Sequence, residues 1–67
     1  MNIAAIINVA PSRAALSRAT ETQNLLLEHL GPQLGSIRLA APHLLKQACR
    51  GAIAERPGVL VFAGGGG

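Results

Sequence analysis

Val59-Leu60-Val61-Phe62-Ala63 runs without interruption into Gly64-Gly65-Gly66-Gly67. Five apolar residues, three of them β-branched or aromatic, read as a short strand buried on both faces. A strand that opens directly into glycines is the arrangement by which α/β proteins bring backbone N–H groups up to a phosphate, because no side chain stands in the way. Glycine repetition by itself has three readings: a phosphate cradle, a flexible tail and a plain strand-to-loop turn. What surrounds the run decides the fold.

Upstream, Ile3-Ala4-Ala5-Ile6-Ile7-Asn8-Val9 is a second continuous apolar run. It predicts a strand covered on both faces, ended by Pro11 and Ser12. Ser12 predicts the N-cap of a helix over Arg13 to Leu30, with Ala15, Leu16, Ala19, Leu26, Leu27 and Leu30 on its buried face and Arg18, Glu21, Thr22 and Glu28 elsewhere. Gly31-Pro32 predicts its end. Ser36-Ile37-Arg38-Leu39 alternates polar and apolar, as a half-exposed edge strand does. Pro42 opens a second predicted helix, to Glu55, with Leu44, Leu45, Ala48, Cys49, Ala52 and Ile53 as its buried stripe and Gly51 as a weak point. Arg56-Pro57-Gly58 stops it before the last strand.

The order is strand, helix, strand, helix, strand: a Rossmann-like βαβαβ unit with a parallel sheet and right-handed crossovers. The two wholly apolar strands belong in the middle and the alternating one at an edge, which predicts strand order 2-1-3. That order puts the two helices on opposite faces. It also puts a ligand crevice at the switch point between strands one and three, where the loops Asn8 to Arg13 and Gly64 to Gly67 converge. The third strand has a bare outer edge in such a sheet. The chain therefore reads as one partial domain spanning residues 1–67, the first part of a larger nucleotide-binding domain.

Composition narrows the function. At 67 residues there is room for one small core, and a chain of that size buries only about 60% of its unfolded surface. Phe62 is the sole aromatic residue, which argues against base stacking and single-stranded nucleic acid as a partner. The net charge of +3 comes from scattered Arg and Lys. It suits either an ordinary solvated surface or an anionic partner. Cys49 is the only cysteine; it reads as a small buried apolar residue in a reducing, cytoplasmic setting. No stretch is long enough to span a bilayer. His29 and His43 are not at metal-ligand spacing.

The Ile6-Ile7-Asn8 strand end, the Pro11/Ser12 loop, the helix, and Val61-Phe62-Ala63-Gly64-Gly65-Gly66-Gly67 about fifty residues on together resemble the start of the catalytic domain of the diacylglycerol kinase and sphingosine kinase family, which is related to the NAD kinases. That family opens on I-x-N-P-x-S-G-R and continues into strand–G-G-D-G-T. The resemblance spans the whole chain. It implies ATP and Mg²⁺ as cofactors and transfer of a phosphoryl group to a lipid hydroxyl by the full-length protein. The lipid would be met at a membrane surface. Carried over, Asn8 matches the loop asparagine and Arg13 the following basic residue, with Gly64, Gly65 and Gly67 on the family's glycines. Gly66 stands where the family has aspartate. Val9, Pro11 and Ser12 replace the usual proline, serine and glycine, and Ala40 or Ala41 stands near the place of a threonine. The nucleotide-binding set implied is thus Asn8, Arg13, Gly64, Gly65, Gly66 and Gly67. No catalytic or metal-ligating residue is implied, because the chain has no Asp and its three Glu lie on predicted helices. The 67-residue chain alone is expected to be inactive. Two other readings stand beside this one: a degenerate packing or self-association module working through the bare third strand, and a different Rossmann-like dinucleotide domain, which the lack of G-x-G-x-x-G in the first loop disfavours.

Overall fold

The structure, a computed structural model, describes residues 2–64. It is an α/β unit: β1 (Ile3–Asn8), α1 (Arg13–Leu30), a 3₁₀ turn (Gly31–Gln33), β2 (Leu34–Ala40), a second 3₁₀ turn (Pro42–Leu44), α2 (Leu45–Ala54) and β3 (Val59–Gly64). The three strands are parallel, in the order β2-β1-β3. The crossover from β1 to β2 through α1 and the one from β2 past β1 to β3 through α2 run in opposite directions, and right-handed crossovers of opposite direction place α1 and α2 on opposite faces of the sheet.

β1 is the centre of the fold. Ile3 to Ile7 are all buried, with Ala5 and Ile6 at 0% exposure. Successive side chains alternate between faces, so both faces of β1 must be covered. Ala4 and Ile6 pack with Ala52 of α2, and Leu45, Ala48, Cys49 and Leu60 close around them. The opposite row, Ile3, Ala5 and Ile7, is left to α1. Ala4 and Ala5 are small because a helix backbone has to come close to a strand paired on both edges.

Ser12 caps α1 as expected, its hydroxyl accepting from the Ala15 amide at 3.1 Å. Four of the six residues expected on the buried face of α1 are covered, and Leu16 and Leu27 are not. Ala19 is buried, and Ala15, Thr22, Gln23, Leu26 and Leu30 are half-buried, whereas Leu16 and Leu27 are about half exposed. The covered residues repeat at i, i+4, i+7, i+8, i+11 and i+15, a coherent helical stripe. Thr22, expected outside it, can be covered because its hydroxyl donates to the Arg18 carbonyl at 3.0 Å. The helix is also longer than its support: 18 residues make about 27 Å of helix, against about 20 Å for a six-residue strand. Part of its apolar surface therefore overhangs a three-stranded sheet.

Gly31 ends α1 at φ 52°, ψ −130°, a conformation open to glycine but not to residues with a Cβ. Pro32 then enters the 3₁₀ turn rather than closing the chain off. Pro42 likewise opens a 3₁₀ turn ahead of α2, so Leu44 lies outside the helix and is exposed. Ile53, expected in the buried stripe of α2, is 60% exposed.

Gly51 has a positive reason to be glycine. A Cβ there would stand 3.3 Å from the Arg38 guanidinium. Arg38 lies against α2 at this point, where its Nη2 donates to Glu55 Oε2 at 2.6 Å. Its Nη1 donates to Ser36 Oγ at 3.3 Å. The pair ties the β2 edge to the end of α2. The Arg38 hydrogen bond, followed by that of the Ser36 hydroxyl, holds the Glu55 carboxyl below its ordinary value of 4.5. A carboxylate with a lowered folded-state pKa stabilises the fold above its unfolded value and loses that contribution as pH falls through the folded one. The thermal midpoint should therefore fall between about pH 5 and pH 3 more steeply in the wild type than in Glu55→Gln, measured by circular dichroism. Equal slopes would show that the pair contributes nothing.

Arg56 ends α2 at φ 54°, the left-handed conformation usually given to glycine at a helix C-terminus. A side chain there costs about 1–2 kcal/mol. Arg56→Gly should raise unfolding free energy by about 1 kcal/mol, read as a higher urea midpoint at unchanged m-value.

Candidate nucleotide-phosphate site

The carboxyl ends of the strands carry the sequence-predicted residues, and register decides which of them meet. Asn8, the last residue of β1, is paired with Gly64 of β3 on one side and Ala40 of β2 on the other. Asn8 and Gly64 are thus neighbours at the end of the sheet, at the boundary where strand order reverses. Open α/β sheets bind ligands at that boundary. Gly64 has no side chain, so nothing projects from β3 beside Asn8. Gly65, Gly66 and Gly67 lie outside the described residues.

Asn8 shares its face with Ala4 and Ile6. Its Oδ1 is buried and has no hydrogen-bond partner among the described residues. An unsatisfied buried acceptor costs about 1–3 kcal/mol; Asn8 is itself half-buried, and no polar residue is fully buried among those described. The oxygen calls for a donor, such as a ligand hydroxyl. The N–H groups of the same amide suit phosphate oxygens.

Arg13 is the first residue of α1 and is exposed. The structure does not bring it onto the Asn8 face. After Asn8 the chain turns toward β2: the Val9 amide donates to the Ala40 carbonyl at 2.9 Å, and the Ser12 amide to the Ala10 carbonyl at 2.8 Å. This turn opens a cleft of about 540 Å³ between the loop, Leu16 of α1 and the Leu39–Ala41 end of β2, with Arg13 in its wall. The expected crevice lies between β1 and β3. This cleft is its neighbour on the β1–β2 side, a place the motif reading did not point to.

His29, in the last turn of α1, and His43, in the second 3₁₀ turn, are both exposed. Among the described residues no three His, Cys, Asp or Glu side chains cluster to hold a metal. No helix of the described residues is long and apolar enough to cross a membrane.

Comparison with family models, with characterised proteins and with solved structures finds no match to the chain.

With its oxygen unpartnered among the described residues, Asn8 should cost stability in the ligand-free protein. Asn8→Leu, close in size and without polar atoms, should raise the unfolding free energy by about 1–2 kcal/mol in urea titrations. A loss of stability instead would mean that the amide is satisfied in the folded chain.

Proposed function

We propose that this chain forms the phosphate-binding part of a nucleotide site, with ATP as the ligand. The observation that carries the reading is the pairing of Asn8 with Gly64 at the switch point of the sheet; the Asn8 amide N–H groups can donate to phosphate, and its buried oxygen can accept from a nucleotide hydroxyl. The glycine run continues the same strand in the sequence, where backbone N–H groups can take phosphate oxygens without a side chain intervening. Asn8 supplies the polar side chain. Arg13, at the head of α1 on the neighbouring side, supplies positive charge beside the loop. By its resemblance to the lipid kinase family, the reading extends to transfer of the γ-phosphate to a lipid hydroxyl at a membrane surface by a full-length protein.

Mg²⁺ does not fit the residues of this chain. Phosphoryl transfer holds its metal with carboxylates. There is no Asp in the sequence. Glu21 and Glu28 are exposed on α1, and Glu55 is held by Arg38. No carboxylate stands at the described end of the sheet, so this chain's part is binding and orienting phosphate. It has neither a metal-holding group nor a base to turn the nucleotide over.

Isothermal titration with ATP in the absence of divalent ions tests the proposal. Binding should be measurable, and both Asn8→Leu and Gly64→Val should weaken it by at least about tenfold, 1.4 kcal/mol. In Gly66→Asp, which adds the missing carboxylate, binding should become dependent on Mg²⁺. Absence of ATP binding at millimolar concentration, or wild-type affinity in either site variant, would overturn it.

A further inference from the structure

The cleft on the β1–β2 side has walls almost entirely of one kind. The loop from Val9 to Arg13, Leu16 of α1, Leu39 and Ala40 of β2 and Ala41 after it line about 540 Å³, inside the roughly 300–1,000 Å³ range of small-molecule sites. Two of the large apolar side chains that stay in solvent meet here, Leu16 at 54% exposure and Leu39 at 40%. Leu39 follows Arg38, whose side chain reaches Glu55 at the end of α2. Alternation along the strand therefore turns Leu39 to the α1 side, where Leu16 stands. The two leucines are exposed into the same opening.

The polar groups of these walls are already engaged. The Val9 amide donates to the Ala40 carbonyl at 2.9 Å, the Ser12 amide to the Ala10 carbonyl at 2.8 Å and the Leu44 amide to the Ala41 carbonyl at 2.9 Å. Ser12 Oγ accepts from the Ala15 amide, and Pro11 has no N–H. One charged group lines the cleft, the guanidinium of Arg13. No carboxylate meets it: the only ion pair among the described residues is Arg38–Glu55, and Glu21 and Glu28 lie about 12 and 23 Å further along α1.

We propose that this cleft binds a small amphiphile with a single negative charge, an alkyl chain of medium length ending in a carboxylate. The chain lies against Leu16, Leu39, Ala40 and Ala41, and the carboxylate meets the fork of Arg13. Each part of the ligand follows from the walls. An apolar body suits a surface whose hydrogen-bonding groups are spent on one another. One guanidinium compensates one charge, which a carboxylate carries, whereas a phosphate monoester approaches two. A nucleobase in the same place would turn its ring nitrogens, and the ribose its hydroxyls, toward hydrocarbon, with no carboxylate or amide side chain to meet them. Each such group left unpaired costs binding, and an alkyl chain has none. This inference does not rest on the nucleotide reading. The cleft lies on the β1–β2 side and the phosphate site on the β1–β3 side, and Arg13 stands in the wall of the cleft rather than on the Asn8 face.

Titration of the isotopically labelled chain with sodium decanoate below its micelle concentration, without nucleotide and followed by NMR, tests the proposal. Saturable amide shifts should gather in Val9 to Leu16 and in Leu39 to Ala41. Decanol, with the same chain and no charge, and decyl phosphate should each bind at least about tenfold more weakly. Arg13→Gln and Leu16→Asp should each raise the decanoate dissociation constant at least about tenfold, with unchanged far-UV circular dichroism because both side chains are exposed. Leu25→Asp, which changes an equally exposed leucine about 180° around α1 from Leu16, should leave it unchanged. No saturable shift, decanol or decyl phosphate binding as tightly as decanoate, wild-type affinity in either cleft variant, or an equal loss in Leu25→Asp would overturn the proposal. So would displacement of decanoate by adenosine, which would give the cleft to the base of a nucleotide. Because none of these readouts uses ATP, a chain that fails to bind ATP and a chain that fails to bind decanoate are told apart.

Discussion

The fold depends on one constraint: β1 is buried on both faces and paired on both edges. Ala5 and Ile6 have no solvent contact, so every backbone polar group of this strand must be satisfied by β2 and β3 and every side chain by a helix. This is what makes the sheet parallel. A central strand with a helix on each face is reached by crossovers, one from β1 out to β2 and one back from β2 past β1 to β3, in opposite directions. The reversal of direction then creates the switch point, and Asn8 arrives there simply by being the last residue of the strand. The stability of the fold and the position of the candidate site therefore have a common origin. Asn8 is the point at which they conflict, since its buried oxygen costs stability in the free protein.

The same constraint explains where the molecule is weak. Three strands cannot cover two helices and also protect both outer edges. α1 turns its small and polar residues, Ala15, Ala19, Thr22 and Gln23, toward the sheet and leaves Leu16, Leu25 and Leu27 half exposed. On the α2 side the Arg38–Glu55 pair closes the β2 flank, while Ile53 of α2 and Phe62 of β3 stay exposed. Exposed apolar surface is ordinary when scattered.

Much of the architecture was legible in the sequence because the signals were local. The apolar runs at Ile3 and Val59, the Ser12 cap and the glycine at position 31 each specify their own element, and the contrast between uniform and alternating strands was enough to order the sheet. What was not legible required tertiary knowledge. The covered stripe of α1 takes in Thr22 and Gln23 and leaves out Leu16 and Leu27, because close approach to β1 favours small residues at its centre, which hydropathy undervalues. Gly51 looked like a flaw in a helix until Arg38 was seen to lie against it. At the site, the meeting of Asn8 with Gly64 could be foreseen from strand order alone. The separation of Arg13 into the neighbouring cleft could not, because it depends on the direction in which Val9 to Ser12 turns.

The central claim is that the end of the sheet around Asn8 and Gly64 receives the phosphates of a nucleotide. Backbone amide shifts of the isotopically labelled chain, followed by NMR during ATP titration, test it most directly. The account predicts saturable shifts concentrated in Asn8 to Arg13 and in Gly64 to Gly67, at both sides of the switch point together. Shifts confined to the basic residues of α2, Lys46 and Arg50, or no saturable shift at all, would contradict it.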